Sequence, residues 1–253
     1  MAPQVVNARQ DLGLPPQIRA GLFDLDGVLT RTEVVHAAAW KRVFDALVRE
    51  RAGGGAFVPF DADADYRAYV DGRRRRDGAR AFLASRGIRL PEDELGALAD
   101  AKDVLVLEAI EQDGVEVYER SVDYLRAVAE AGLRRAVVSA SRHCETVLRA
   151  AGIEELFEVR VDGIVADRDG LRGKPAPDTF LAAAWGLGVE PPEAAVFEDA
   201  LAGVEAGRAG GFGFVVGVDR AGHGDALRRH GADVVVRDLG DLPGTVPPGQ
   251  AGH

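Results

Sequence analysis

The chain has 253 residues, 47% of them hydrophobic, so it can bury a substantial core as one large domain or two smaller ones. Its formal charge of −10 at pH 7 argues against nucleic acid or an anionic membrane as a partner. No apolar run approaches the roughly 20 residues of a membrane span, and the N-terminus lacks the features of a signal peptide. The single cysteine, Cys144, cannot form an internal disulfide, which favours a cytoplasmic location.

The first strong element is an apolar strand that ends in Asp24-x-Asp26-Gly27, after a polar segment, residues 1–17, that we expect to be a flexible lead-in. Because strand side chains alternate, both carboxylates point into the crevice where open α/β sheets bind ligands. Adjacent carboxylates repel, and a cation usually relieves the repulsion. The pattern therefore indicates a magnesium site with a carboxylate nucleophile. A polar strand end before a turn is the simpler alternative.

Helical patterns dominate from this strand to about residue 112. Trp40, Val43, Phe44 and Leu47 recur at helical spacing, and no strand signal of comparable strength appears. An insertion at this point lies over the carboxyl ends of the strands, so residues 33–112 are predicted to form a helical cap domain that excludes water. A helical extension without such a role is the alternative.

From residue 122 onward helices and strands alternate, which is typical of an α/β fold. We expect a core domain over residues 18–32 and 113–242, and a flexible tail over 243–253. Trp40 and Trp185 are both candidates for the hydrophobic core. The predicted strands after the first are 135–138, 195–197, 214–218 and 234–236, and the predicted helices are 124–131, 145–151 and 200–209.

Three further polar groups lie at the ends of apolar runs. Ser139 closes a strand, Lys174 sits in a loop between prolines that resist helix formation, and Glu198-Asp199 ends another strand. A hydroxyl, an ammonium and a second acidic pair are the groups expected around a transferring phosphoryl group. Each is commonplace alone, but all of them in this order favour phosphoryl transfer.

These motifs together resemble those of the haloacid dehalogenase (HAD) superfamily of aspartyl phosphotransferases, over residues 18–240. The resemblance implies an α/β fold, a Rossmann-like parallel sheet core (HAD fold) with an inserted small α-helical cap. It also implies Asp24 as nucleophile, Asp26 as general acid and base, and Ser139 and Lys174 as ligands of phosphoryl oxygens. The implied cofactor is Mg²⁺, and its implied ligands are Asp24, Asp26, Glu198 and Asp199.

Residues of the cap and rim narrow the resemblance to the β-phosphoglucomutase-like subfamily. This implies interconversion of β-D-glucose 1-phosphate and glucose 6-phosphate through an aspartyl phosphate and glucose 1,6-bisphosphate. Arg76 matches the cap arginine that grips the non-transferring phosphate, although a solvated basic run is the alternative. The substrate-binding residues that the resemblance implies are His36, Trp40, Arg76, Lys102, Ser141, Arg142 and His143.

Arg31, Arg142-His143 and Ala200 depart from the subfamily pattern and leave the identity of the sugar open. A Mg²⁺-dependent sugar-phosphate phosphatase would keep every core residue and use water as the acceptor. A non-catalytic scaffold has no need for such a costly cluster of charges, and a receiver domain has no use for the cap. The expected partner is a small phosphorylated sugar, bound by a monomer.

Overall fold

The computed structural model of the chain describes residues 12–52, 54 and 56–244. Its sheet consists of six parallel strands, in the spatial order third, second, first, fourth, fifth, sixth. The predicted α/β fold with a Rossmann-like parallel sheet is therefore confirmed. The strands are β1 (Ala20–Phe23), β2 (Arg134–Val138), β3 (Val159–Val161), β4 (Ala194–Glu198), β5 (Phe214–Val218) and β6 (Val234–Val236).

Nine α-helices lie in the described part of the chain, with a π-helical turn at Tyr66–Val70 and short 3₁₀ turns. None of these helices combines the length and apolar character that crossing a membrane requires. The helices are α1 (Thr32–Arg51), α2 (Arg75–Ser85), α3 (Glu92–Asp113), α4 (Glu119–Glu130), α5 (Cys144–Ala150), α6 (Gly163–Arg168), α7 (Asp178–Leu187), α8 (Leu201–Ala209) and α9 (Gly224–His230).

The central strands β1 and β4 are buried along their whole length. Helices cover both faces of the sheet, so these strands carry continuous apolar runs rather than an alternating pattern. Phe23 and Phe197 stack on one face with ring centroids 4.3 Å apart. Leu22 and Val196 pack into a second hydrophobic cluster. This packing fixes the ends of β1 and β4 side by side.

Residues 32–113 form a helical block with a hydrophobic cluster of its own. Phe44 lies at its centre, with ring centroids 4.7 Å from Trp40, 5.2 Å from Phe60 and 4.4 Å from Phe82. The chain leaves and re-enters the core domain at adjacent points, where Thr30 and Val117 form an antiparallel bridge. The block is thus joined to the core by two neighbouring connections.

Some details differ from the sequence-based predictions. Within residues 12–17, predicted as part of a flexible lead-in, Leu12 is buried and its carbonyl accepts a hydrogen bond of 2.9 Å from the Tyr124 hydroxyl. Trp40 is buried as predicted, but Trp185 is 69% exposed on α7, so its assignment to the core was wrong. The rest of the lead-in, residues 1–11, and residues 245–253 of the tail lie outside the described residues.

Candidate active site

Three carboxylates meet where β1 and β4 end. The Asp24 amide donates to the Phe197 carbonyl at 2.9 Å, which holds the two chain segments in register. Asp24, Glu198 and Asp199 are buried, and one oxygen atom from each lies within 4.8 Å of the others. Carboxylate oxygens this close together suit a hard divalent cation such as Mg²⁺. The donor set therefore fits a metal ion of that class.

Two glycines make room for this cluster. A Cβ atom on Gly27 would overlap the Asp199 carboxylate, and one on Gly203 would overlap the Glu198 carboxylate. Gly27 also has a φ of +84°, a conformation that other residues rarely adopt. The glycine of the Asp24-x-Asp26-Gly27 motif thus serves both the turn and the acidic cluster.

Lys174 supplies the positive charge inside the cluster. Its ammonium group pairs with Asp24, lies 2.5 Å from Glu198 Oε1, and donates to the Val138 carbonyl at 3.2 Å. Burial alone would lower the pKa of Lys174, but Asp24 and Glu198 more than offset it and raise the pKa. The pKa of Asp24 is raised by burial, against the opposing effect of Lys174. Among the described residues, Lys174 is the cation that pairs with Asp24 and Glu198.

Asp26 lies beside Asp24 but has different partners. Its carboxylate accepts hydrogen bonds from Thr32 and, at 3.2 Å, from Ser139, and it lies 3.5 Å from His36 Nε2. Burial would raise the pKa of Asp26, but His36 and Thr32 prevail and hold it well below its usual range. In this form Asp26 is ionised and can accept a proton.

His36 connects Asp26 to the helical block. His36 Nδ1 lies 2.6 Å from Lys102 Nζ on α3, and that ammonium lies 5.5 Å from the centroid of the Trp40 ring. Burial lowers the pKa of both His36 and Lys102. Four sequence-predicted residues are thus joined in one chain of contacts, in the order Asp26, His36, Lys102 and Trp40.

The segment after Ser139 forms the opposite rim of the site. The Ser141 amide donates to Ser139 Oγ at 3.1 Å, and the His143 amide donates to Ser141 Oγ at 3.1 Å. Ser141 and Arg142 line the same cavity as Asp24, Asp26 and Asp199. This cavity has a volume of about 50 Å³. It is smaller than the roughly 300–1,000 Å³ of typical small-molecule pockets.

The arginine run differs from the sequence-based assignment. Arg76, predicted to grip the distal phosphate, lines a neighbouring pocket instead of this cavity. Arg73 and Arg75 line the cavity, and Arg75 Nη1 lies 2.7 Å from Asp103 Oδ2. Consecutive residues of a helix point in directions about 100° apart around its axis, so Arg76 does not share the direction of Arg75. Arg75 rather than Arg76 therefore lines the cavity, and the role of Arg76 in gripping the distal phosphate stays a prediction.

A family model described as a haloacid dehalogenase-like hydrolase matches residues 18–211. The chain belongs to this family. The four HAD motifs named from the sequence all lie within the matched residues. In the structure they surround the cavity between the sheet and the helical block.

Relatives place the chain in the β-phosphoglucomutase-like part of the HAD family. It is 51% identical over 245 residues to a β-phosphoglucomutase of Mycobacterium tuberculosis, covering 91% of this chain and 94% of that protein. It is 31% identical to a β-phosphoglucomutase of Bacillus subtilis, over 89% of this chain and 92% of that one. The crystal structure of β-phosphoglucomutase from Clostridium difficile superposes with a TM-score of 0.74 at 26% identity, covering 89% of this chain and 93% of that one.

Three cavity or cavity-edge residues in this HAD chain were missed by the sequence analysis. Asp103 connects Arg75 to the rim, because its Oδ2 also lies 3.4 Å from His143 Nε2. Tyr66 and Asp71 line the cavity from the helical block. Burial, with Glu198 contributing next, raises the pKa of Asp71 to about 7. The available signal was Gly72, which follows Asp71 directly. A glycine at this position lets the helical block lie close to Ala200 of the core, where a larger residue would not fit.

The departures from the subfamily pattern have local structural roles. Arg31 lies 3.2 Å from Glu116 and 5.0 Å from the ring centroid of Tyr118, at the junction between the core and the helical block. Ala200 is buried, and a Cβ atom on Gly72 would lie 2.8 Å from its methyl group. Neither residue displaces a member of the acidic cluster.

Proposed function

We propose that the protein is a Mg²⁺-dependent β-phosphoglucomutase, which interconverts β-D-glucose 1-phosphate and glucose 6-phosphate through glucose 1,6-bisphosphate. The likeness to proteins named β-phosphoglucomutase supports the reaction, and the buried carboxylate cluster supports the metal. The proposal includes a monomer in a reducing cytoplasm, which the single buried cysteine, Cys144, supports.

One observation carries the proposal: a single cavity has an acidic floor and a cationic rim. Asp24 lies on the floor, while Arg75, Ser141 and Arg142 line the same cavity. A mutase must hold the phosphate that is not transferring while the other reacts, and in either orientation of the sugar. Arginine and serine suit that task because they donate several hydrogen bonds to phosphate oxygens.

The chemistry we propose begins with Asp24. Its carboxylate attacks phosphorus in line and forms an aspartyl phosphate, which Lys174 and Ser139 stabilise through the phosphoryl oxygens. Asp26 takes the proton of the attacking sugar hydroxyl in one half-reaction and returns it to the leaving oxygen in the other. Its lowered pKa keeps it ionised, and so free to accept a proton, in the present form. Proton transfer to Asp26 therefore precedes its action as an acid.

Asp24, Glu198 and Asp199, with the backbone carbonyl of Asp26, are the residues that would hold Mg²⁺. When bound, the ion neutralises charge on the phosphoryl oxygens. Lys174 carries out part of the same neutralisation with the protein's own charge.

We further propose that residues 33–112 act as a cap that opens for substrate and closes for catalysis. The closed cavity of about 50 Å³ is too small for a sugar bisphosphate. Opening about the two connections near Thr30 and Val117 would admit it, and closure would return His36 and Lys102 to the site.

The test uses purified protein with Mg²⁺, β-glucose 1-phosphate and a trace of glucose 1,6-bisphosphate, with glucose 6-phosphate and free phosphate measured in the same tube. Glucose 6-phosphate should form well ahead of free phosphate. Asp24→Ala should abolish transfer and retain the circular dichroism spectrum of the wild type. Full activity in Asp24→Ala would exclude the mechanism.

A sugar-phosphate phosphatase is the second candidate. A Streptomyces hygroscopicus protein named validoxylamine A 7′-phosphate phosphatase is 31% identical over 88% of this chain, covering 95% of that protein. Water would then replace the sugar hydroxyl as acceptor at the same aspartyl phosphate. Phosphate release without isomerisation, in the assay above, would establish this reaction in place of the mutase.

A further inference from the structure

The four consecutive arginines, Arg73–Arg76, diverge into three environments. Arg73 and Arg75 line the catalytic cavity. Arg74 reaches across to the core, where it pairs with Asp167 on α6 and donates to the Leu171 carbonyl at 3.1 Å. Arg76 lines a second pocket, which we call the outer pocket. The proposed mutase reaction so far gives Arg76 no role.

The lining of the outer pocket has more arginines than carboxylates, although the chain as a whole is acidic. The pocket has a volume of about 330 Å³ and shares Arg75, Ala140 and Arg142 with the catalytic cavity. Five arginines and two aspartates line it, a net formal charge of +3 in a chain of charge −10. Arginines whose charge is not matched by a carboxylate attract anions.

The pairing of these arginines leaves one of them available. Arg75 lies 2.5 Å from Asp100 and 2.7 Å from Asp103, and Arg80 lies 2.8 Å from Glu92. Arg76 has no ion pair or side-chain hydrogen bond with any described residue, and it is exposed. A guanidinium in that state can donate two parallel hydrogen bonds to a phosphate.

We propose that the outer pocket is a second phosphate-binding site, in which Arg76 holds one phosphate of the sugar bisphosphate outside the catalytic cavity. The proposal rests on the mutase function, because that reaction requires the bisphosphate to leave Asp24 and return in the opposite orientation. A pocket of about 330 Å³ accommodates a phosphorylated hexose. The two pockets share Arg142, so a bisphosphate that leaves the cavity when the cap opens can keep one phosphate on Arg76 while it turns.

The binding test is calorimetric titration of the Mg²⁺-loaded protein with inorganic phosphate. Wild-type protein should show two classes of phosphate site. Arg76→Gln should weaken only the class of lower affinity, about three- to tenfold, as expected for loss of one exposed charge. That class should also weaken as NaCl is raised. The matched control is Arg89→Gln, because Arg89 is exposed on the same block and lines neither pocket.

The kinetic test uses glucose 1,6-bisphosphate as the varied substrate. Arg76→Gln should lower kcat/KM for the bisphosphate about three- to tenfold, while Arg89→Gln should match the wild type. A single class of phosphate site, or two classes that Arg76→Gln leaves unchanged, would overturn the proposal. So would weakening of the tighter class by Arg76→Gln, because Arg76 would then belong to the catalytic cavity.

The two tests also distinguish failure of the mutase proposal from failure of the outer-pocket proposal. If the wild type releases only free phosphate but still shows an Arg76-dependent second class, the outer pocket stands as a phosphate site and its role in reorientation is excluded. If the wild type is a mutase with one class of site, the reaction stands and the outer pocket is excluded.

Discussion

Lys174 is the residue on which the stability of the acidic cluster depends most directly. It is the cation paired with both Asp24 and Glu198 in the buried site. Replacement by Met should lower the free energy of unfolding by about 3–5 kcal/mol, because two buried carboxylates lose their partner. Urea denaturation in EDTA measures the loss, and Mg²⁺ should recover part of it.

The matched control is Arg126→Met, since the side chains of Arg126 and its partner Asp123 are 51% and 69% exposed and lie 2.8 Å apart. An exposed pair of that kind contributes about 0–1 kcal/mol. Equal losses in the two variants would show that the cluster does not depend on Lys174 for its stability.

Asp71 should make stability depend on pH. Burial raises its pKa from 3.8 to about 7, so the folded chain binds this proton more tightly than the unfolded chain. The free energy of unfolding should therefore fall as the pH rises from about 4 to about 7, and remain lowered above pH 7. Asp71→Asn removes this effect and should stabilise the protein at pH 8 by on the order of 1 kcal/mol.

Urea denaturation in EDTA at pH 5 and pH 8 provides the comparison for Asp71. The difference between Asp71→Asn and wild type should be larger at pH 8. The control is Asp63→Asn, because the Asp63 side chain is 88% exposed. A stabilisation by Asp71→Asn that is equal at both pH values would contradict this account.

At the scale of the elements, the contact between the cap and α6 is expected to control access to water. Arg74, just before α2, pairs with Asp167, and the Arg142 guanidinium lies 3.7 Å from the same carboxylate. Asp167→Asn should weaken closure and raise the ratio of free phosphate to glucose 6-phosphate a few-fold, because water reaches the aspartyl phosphate more often.

The control for that contact is Asp169→Asn. In the part of the chain that the structure describes, Asp169 pairs with its neighbour Arg168 at 2.7 Å and with no residue of the cap, so its replacement leaves the cap contact intact. The product ratio is measured by simultaneous assay of phosphate and glucose 6-phosphate. An unchanged ratio in Asp167→Asn would mean that other contacts hold the cap closed.

The same elements show what could be predicted from sequence. Strands β5 and β6 have the predicted bounds, because buried β-branched runs between turn residues are a strong signal. Strand β3 was missed because Val159–Val161 has only three residues and contains Arg160. The sequence could not show that Arg75 rather than Arg76 lines the cavity, because a run of identical residues carries no signal for which member faces it.

For the whole molecule, the order of the motifs was enough to predict the fold and the residues that meet at the end of the sheet. Parallel strands bring their carboxyl ends to one edge, so polar groups after β1, β2 and β4 must converge. Asp71 and Asp103 could not be predicted in this way, since their positions depend on how the helical block lies over the core. That placement results from packing between residues distant in sequence.

The last prediction concerns the stability of the whole chain with and without metal. A cation that binds only the folded state at one hundred times its Kd adds about 2.7 kcal/mol to the free energy of unfolding. For a protein of this size, that corresponds to a rise in Tm of about 5–10 °C. Thermal unfolding in EDTA and in excess Mg²⁺ should show this rise for the wild type. Asp199→Asn should abolish most of it, because Asp199 is one of the three clustered carboxylates.

Asp219→Asn is the control, since Asp219 lies outside that cluster and caps the turn before α9. An undiminished rise in Asp199→Asn would place the metal elsewhere, and the acidic cluster would then have to be stabilised by Lys174 and protons alone.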